Sequence, residues 1–566
     1  MKSQDSVQYD LQSVSLPHLV GFPLRLVVGL LEGPLRGLLI PSLLKNAGVA
    51  DLRRRVVEEP PTYYPMHSVP SPAASGVGVP PDEWPKPAGA RGPGFQFVTA
   101  ADYGRAYREG STTPEAVTER VLEAMEEADS ADPPLCAFIA VDRQDIREQA
   151  LASAMRHRQG QPLGPLDGVP VAVKDEVDML PYPTTVGTRF LGRQRAAADA
   201  TAVARLRAAG ALLIGKANMH EIGIGVTGLN PHHGTPRNPY DPAHHTGGSS
   251  SGPAAAVAAG LCPMALGADG GGSIRIPSSF CGLVGLKPTF GRVSERGAAP
   301  LCWSVAHLGP IAGTTADAAL LYAAIAGPDA LDPHSCHQPA PNLAGWDRTD
   351  LSDLTLGWYP TWFRHATAEV VEACERMLQA FQGLGARLRE VAIPALEPAR
   401  VAHTVTIAAE MTQALGHTYA EHRRDHGLDV RTNLALARGF GARDYIQAQQ
   451  VRTGMMESLD RALKEVDLIL TPATGLAAPA IEPRALAAGE SNLSLLVEIM
   501  RFSTPANLAG LPAIAFPVGY TAAGLPVGMQ AMGRAWDEAT LFRLARAAEG
   551  LVERLAPRVH FRLLDG

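Results

Sequence analysis

Cysteine is scarce: Cys136, Cys262, Cys281, Cys302, Cys336 and Cys374 are scattered over 566 residues. They form neither the close pairs of a zinc ribbon or redox motif nor the dense framework of a small secreted fold, so they read as reduced thiols of a cytosolic-type compartment. Excess positive charge is also missing. Lys and Arg total 50 against 57 Asp and Glu, a formal net charge of -7, which leaves no basic field for nucleic acid. The polar start, Lys2 to Asp10, lacks the basic head, apolar core and small-residue cleavage site of a secretory signal, so secretion is not expected and a cytoplasmic location is. No long uncharged run is present either. Val20 to Leu44 is strongly apolar, but Arg25, Glu32 and Arg36 interrupt it, and a spanning helix needs about 20 residues with few or no charges. No zinc-protease motif occurs. The pairs His232-His233 and His244-His245 place adjacent rings in different directions, so no metal site is expected.

What is there is a large apolar fraction, 46%, enough for a substantial core. Near the start, Leu24, Val27, Val28, Leu31, Leu35, Leu38 and Leu39 recur at helical spacing, and Pro34 is placed to open a second helix. The spacing predicts a helical hairpin within a cap over residues 1–58. Leu26 and Leu30 fall off the stripe and make the first helix apolar nearly all round, which fits burial in protein, a dimer contact or a lipid surface. Residues 59–95 are rich in Pro, Gly and Ser and read as an extended linker. From 96 to 566 helices alternate with short apolar strands. Helices are expected over Thr113 to Glu127 and Ala202 to Ala209. Strands are expected over Val169 to Val173, Ala211 to Ile214, Pro263 to Ala268, Val466 to Leu470 and Ala513 to Pro517. The class is α/β, with one long sheet built from both halves of the chain. Residues 329–462 are helix-rich and read as an insertion shaping a site.

Two loops stand out. One is Gly247-Gly248-Ser249-Ser250-Ser251-Gly252, followed by a small-residue run to Gly260. The other is Asp269-Gly270-Gly271-Gly272-Ser273, which follows an apolar strand and precedes Ile274-Arg275-Ile276-Pro277. Glycines in such turns allow positive φ and uncover backbone N–H groups, as an oxyanion hole beside a nucleophile requires. A purely structural turn is the alternative for either loop alone. The Gly-Lys-Ser/Thr ending of a phosphate loop and the dinucleotide fingerprint are both absent. A serine needs a base, and no histidine here has a recognised acidic partner by spacing. Lys174 closes an apolar strand, where desolvation disfavours the ammonium and favours a basic amine. Taken alone, a lysine at a strand end is more often a surface residue.

Lys174, the Gly-Gly-Ser-Ser-Ser-Gly loop and Gly-Gly-Gly-Ser-Ile-Arg-Ile-Pro, in that order and spacing, resemble the amidase signature family. The resemblance implies its fold, a long twisted mixed sheet covered by helices. It also implies Ser273 as nucleophile, Ser249 as a bridging serine after a cis peptide bond, and Lys174 as base. Gly270, Gly271, Gly272 and the Ser273 amide would hold the oxyanion, Ser250 would bond the lysine, and Asp269 and Arg275 would brace the loop. The likeness runs from Pro17-His18-Leu19 to Leu525-Pro526-Val527-Gly528-Met529-Gln530. It includes Gly215 to Glu221, Gly234 to Pro239 and Asp444 to Gln449, and it is similar in particular to the plant fatty acid amide hydrolases, which carry a comparable apolar N-terminal segment. That implies cleavage of N-acylethanolamines and related lipid amides without cofactor, a homodimer, and peripheral contact with a membrane. Ile222, Thr227, Met500, Phe502 and Thr504 are candidate pocket residues by position, with core packing as the competing account of the apolar ones. A small-amide or glutamine amidase, including an amidotransferase component, is the second expectation. A catalytically silent lipid-binding homologue is the third.

Overall fold

The computed structural model describes residues 8–14, 17–69, 84–85 and 92–564. Residues 1–7 of the polar start and 70–83 and 86–91 of the linker lie outside the described residues. Eleven strands form the main sheet. Its spatial order runs Arg387–Glu390, Thr355–Trp358, Leu468–Pro472, Pro526–Gly533, Ala513–Tyr520, Val284–Lys287, Leu308–Ala312, Met264–Ala268, Pro170–Lys174, Leu212–Ala217 and Phe138–Ala140. Parallel pairing near both ends flanks an antiparallel middle, so the sheet is mixed. Pro170–Lys174, Met264–Ala268, Leu308–Ala312 and Leu468–Pro472 are buried at every position. That is why they read as continuous apolar runs without alternation.

Helices cover the sheet, and their ends follow local chemistry. Pro114–Ser130 starts at Thr113, whose hydroxyl accepts the Ala116 N–H, with Pro114 in the first turn where its missing donor costs nothing. Its buried face is Val117, Val121, Leu122 and Met125. Ser251–Ala258 is buried throughout because its small residues let backbones touch. A Cβ on Gly252 would lie 2.3 Å from the Asn218 nitrogen and 2.4 Å from the Ala137 oxygen. Residues 329–462 do more than line a site. They also supply the edge strand Arg387–Glu390 and its neighbour Thr355–Trp358, whose shortness hid them from sequence reading.

At the N-terminus, Leu19–Val20 pairs antiparallel with Glu490–Ser491. Helices Gly21–Glu32 and Arg36–Asn46 follow, bent by 112° at the Gly33-Pro34 break, and a third helix, Val49–Arg54, is added to the expected hairpin. Among the described residues no single helix is long and apolar enough to cross a membrane, although this bent pair passes the same test by length and composition. Leu24 and Val28 pack on Leu428, while Arg431 donates to both Glu32 carboxylate oxygens at 3.1 and 2.6 Å. Arg53 grips Asp444 through two bonds of 2.8 Å. The outer face leaves Phe22 77% and Leu38 73% exposed, with Leu26 and Leu35 also open.

Candidate active site

Strand Pro170–Lys174 delivers Lys174 into the interior, where it is 1% exposed. Its Nζ donates to Ser249 Oγ at 2.8 Å and to the Ala268 carbonyl at 3.3 Å. Glu176, two residues on, places a carboxylate oxygen 3.0 Å from the same nitrogen. The strand-end position predicts desolvation alone at this lysine; the structure adds a counter-charge. The peptide bond between Gly248 and Ser249 is cis, as the family resemblance implies. Ser250 does not bond the lysine. Its hydroxyl, turned toward the neighbouring strand at the head of helix Ser251–Ala258, donates to the Ala268 carbonyl at 3.0 Å and so shares an acceptor with Lys174. Its N–H donates to the Ser273 carbonyl at 3.3 Å, which ties the two serine loops together.

The second loop is braced from below. Arg275 donates to both Asp269 oxygens, at 3.0 and 3.1 Å, and both residues are fully buried. Burial alone would raise the Asp269 carboxyl, but the Arg275 guanidinium beside it holds it well below the usual carboxylate range. Gln530, Asn507 and the Ser503 carbonyl take the remaining Arg275 donors. The expectation for Gly272 needs correction. Its N–H points inward to Asp269 Oδ1 at 2.6 Å, and an amide already spent on a carboxylate cannot serve an oxyanion. Gly272 adopts φ +119°, and a Cβ there would strike Ile276 at 2.5 Å, so the turn requires glycine. Among the described residues the amides of Gly270, Gly271 and Ser273 meet no protein acceptor. These are the donors left for an oxyanion.

Ile222 is buried close to the serine loop. It lies in an apolar cluster with Val186, Leu301, Cys302 and Met411, and Gly223 beside it would place a Cβ 3.5 Å from Ser249 Oγ. Ile222 (φ 47°) and Val186 (φ 48°) are β-branched residues in the left-handed region, joined by an Ile222 N–H to Val186 O bond of 2.9 Å. Strain of about 1–3 kcal/mol each is of the kind that collects at functional sites. Met500 comes close to the glycine loop, its methyl 3.0 Å from the Cβ position of Gly271. The other three are placed differently. Thr227 lines a separate cavity of about 20 Å³ with His220, Asp429 and Asn492. Phe502 packs on Trp362 in the core, ring centroids 5.7 Å apart. Thr504 opens the helix Thr504–Leu508, and it is Ser503 before it that reaches the glycine loop, donating to the Gly271 carbonyl at 2.7 Å. Sequence reasoning missed Glu176, His403, Ser503 and Asn507. Only Glu176, an acid two residues from the lysine, left a readable signal. The histidine pairs diverge: His232 lies 3.2 Å from Glu221, whereas His233 donates to the Thr188 carbonyl.

A buried lysine bonded to one serine, on a loop that Ser250 ties to a second serine beside unpaired glycine amides, is the equipment of an acyl-transfer hydrolase. A family model for the amidases matches residues 119–542. The chain belongs to the amidase signature family and is an amidase. More particularly, it is similar to the fatty acid amide hydrolase of Arabidopsis thaliana, 41% identical over 98% of this chain and 95% of the relative. A glutamyl-tRNA(Gln) amidotransferase component of Anaeromyxobacter dehalogenans is 38% identical over 76% of this chain and 92% of the relative. Among solved structures, native peptide amidase from Stenotrophomonas maltophilia matches with TM-score 0.70 at 29% identity, over 81% of this chain and 98% of that one.

Proposed function

We propose that this amidase cleaves fatty acid amides such as N-acylethanolamines to a fatty acid and an amine, through an acyl-enzyme on Ser273. The observation that carries the mechanism is the buried bond between Lys174 Nζ and Ser249 Oγ. Ser273 Oγ attacks the amide carbonyl while its proton passes through Ser249 to the Lys174 amine. Glu176 gives the resulting ammonium a counter-charge. The oxyanion accepts from the amides of Gly270, Gly271 and Ser273, and collapse of the tetrahedral species expels the amine, which takes the proton back along the relay. Water then attacks the ester, loses a proton along the same path, and frees the acid and Ser273.

The lipid substrate is supported by an apolar lining that begins at the glycine loop. Cys302 and Ile407 flank Gly270. Met411, Leu415, Val430 and Leu434 continue the cluster, and Leu428 then meets Leu24 and Val28 of the N-terminal helix. The open Phe22, Leu26, Leu35 and Leu38 support peripheral docking on a lipid surface, with a homodimer as the other occupant that sedimentation would reveal. The deciding experiment is hydrolysis by the purified chain alone across N-acylethanolamines of rising acyl length, beside acetamide and glutamine. Rates that climb with length support the lipid reading. A preference for acetamide or glutamine removes it and leaves the amidase.

A further inference from the structure

Each peptide of the glycine loop is held by its carbonyl. The Asp269 carbonyl accepts from Asn507 Nδ2 at 2.9 Å, the Gly271 carbonyl from Ser503 Oγ at 2.7 Å, and the Gly272 carbonyl from the Ile276 N–H at 2.7 Å. The Gly270 carbonyl is held by His403, whose Nε2 lies 2.7 Å away. A carbonyl can only accept, so Nε2 carries the proton and donates. His403 comes from helix Leu396–Ala414, 133 residues along the chain from Gly270, and is 1% exposed. Its ring also covers the glycine face, since a Cβ on Gly271 would meet His403 Cε1 at 2.8 Å.

These peptides differ at their other ends. The peptide joining Gly271 to Gly272 is locked twice, by Ser503 at its oxygen and by Asp269 at its nitrogen. The peptide joining Gly270 to Gly271 is locked at its oxygen alone, and its N–H meets no protein acceptor among the described residues. A trans peptide is planar, so fixing its oxygen fixes the direction of its N–H on the opposite side. A bond donated to the carbonyl also polarises the amide and strengthens its N–H as a donor.

We infer that His403 is a positioning residue for the hydrolytic reaction: by donating to the Gly270 carbonyl it aims and strengthens the Gly271 N–H as an oxyanion donor. Burial pushes the imidazole down to about 4, so it stays neutral at ordinary pH and no mobile charge sits beside the oxyanion. His403 touches no reacting atom and moves no proton. This inference rests on Ser273 being the nucleophile beside that loop.

The test uses the geometry of the amide side chains. Gln can put a donor nitrogen where His Nε2 stands, because its own Nε2 lies at the same reach, whereas the Asn Nδ2 falls short. The full-length chain carrying His403→Asn or His403→Gln is compared with the parent in hydrolysis and in the rate of covalent labelling by a fluorophosphonate. Removing an oxyanion donor outright costs about 10²- to 10³-fold in kcat, so losing only its positioning is expected to cost about 10- to 10²-fold. His403→Asn should show that loss in kcat with KM little changed and labelling slowed in step, and His403→Gln should recover most of it. Should the Asn variant fail to fold, His403→Leu, of similar bulk and without a donor, makes the same comparison. Parent-like turnover in the donor-less variant, a loss carried in KM, or a Gln variant as slow as the Asn variant would overturn the inference. Ser273→Ala separates the two readings: if it still labels and turns over, the nucleophile assignment fails, whatever His403 does.

Discussion

At the scale of single residues, the chemistry divides by how local its signals are. Ser273→Ala is expected to abolish hydrolysis and fluorophosphonate labelling together. Lys174→Ala should lower turnover by about 10²- to 10⁴-fold, the usual contribution of a positioned base. Full activity of that variant at pH 7 would mean that the proton leaves Ser273 by another route. Arg275→Met strands the Asp269 carboxylate in a fully buried site and should cost about 3–5 kcal/mol, measurable as a shift of the denaturant midpoint. Ser249, Ser273 and the Asp269-Arg275 pair stood out because each sits in a short run of unusual composition, whereas Lys174, at the end of an ordinary apolar strand, was singled out by the family resemblance. His403, Ser503 and Asn507 were not. They act on the glycine loop from 133, 232 and 238 positions away, and no periodicity or spacing encodes such a meeting. Gly272 was misread for a subtler reason. Composition announces that amides are uncovered, but only the fold decides which of them Asp269 consumes.

Among the elements, the N-terminal helices pack on Leu428 with one face and leave Phe22, Leu26, Leu35 and Leu38 open on the other. Deleting residues 1–50 is expected to depress turnover of long acyl chains more than that of short ones. Equal losses on both would reduce these helices to a stabilising brace. Leu24, 0% exposed against Leu428, is the single contact to remove first. Leu24→Ala should weaken the docking of the first helix by about 2–5 kcal/mol, read by limited proteolysis within residues 19–58. The stripe of leucines made the first two helices readable. The bend of 112° and the third helix were not, because the groups that anchor Glu32 before the bend and Arg53 on the third helix, Arg431 and Asp444, lie 399 and 391 positions away. The five strands expected from the sequence lie within a few residues of observed ones, being continuous apolar runs, whereas Val284–Lys287, Leu308–Ala312 and Pro526–Gly533 in the middle of the sheet were not anticipated. The edge strand Arg387–Glu390 alternates charge with leucine too briefly to be told from a loop.

For the whole molecule, buried histidines set the acid response. Burial pushes His245 down to about 3 and His403 down to about 4. The unfolded chain protonates each near 6.5, so between about 6.5 and the folded values it binds more protons than the native chain does. These two rings therefore lower stability as pH drops through that window, by about 1.4 kcal/mol per unit for each at the limit, while Asp317, whose carboxyl burial raises to about 7, works in the opposite direction. Glu221 adds to the loss further down. Burial would raise its carboxyl, but hydrogen bonds from His232 and His426 bring it to about 2. Its contribution is present above the unfolded value of about 4.3 and disappears as pH falls toward 2. Urea unfolding at a series of pH values from 7.5 to about 4 measures this slope. The slope should flatten in His245→Gln, and an unchanged slope would show that this ring titrates normally in the native state.

The pairing of Leu19–Val20 with Glu490–Ser491 also sets a schedule. A ribosome adds about 5–20 residues per second, so the first strand emerges on the order of half a minute or more before its partner exists. For most of that interval Leu24 and Val28, which end buried against Leu428, ride on a nascent chain with nothing of their own to rest against, a natural occasion for a holding chaperone or an adjacent bilayer. The glycine loop has a shorter wait but is completed later, because Ser503, Asn507 and Gln530, which hold it and Arg275, lie 232, 238 and 255 positions further along the chain. A polypeptide stalled before Gln530 carries both serines and the lysine but lacks the side chain that accepts from Arg275 beneath the loop, and it is expected to be without amidase activity.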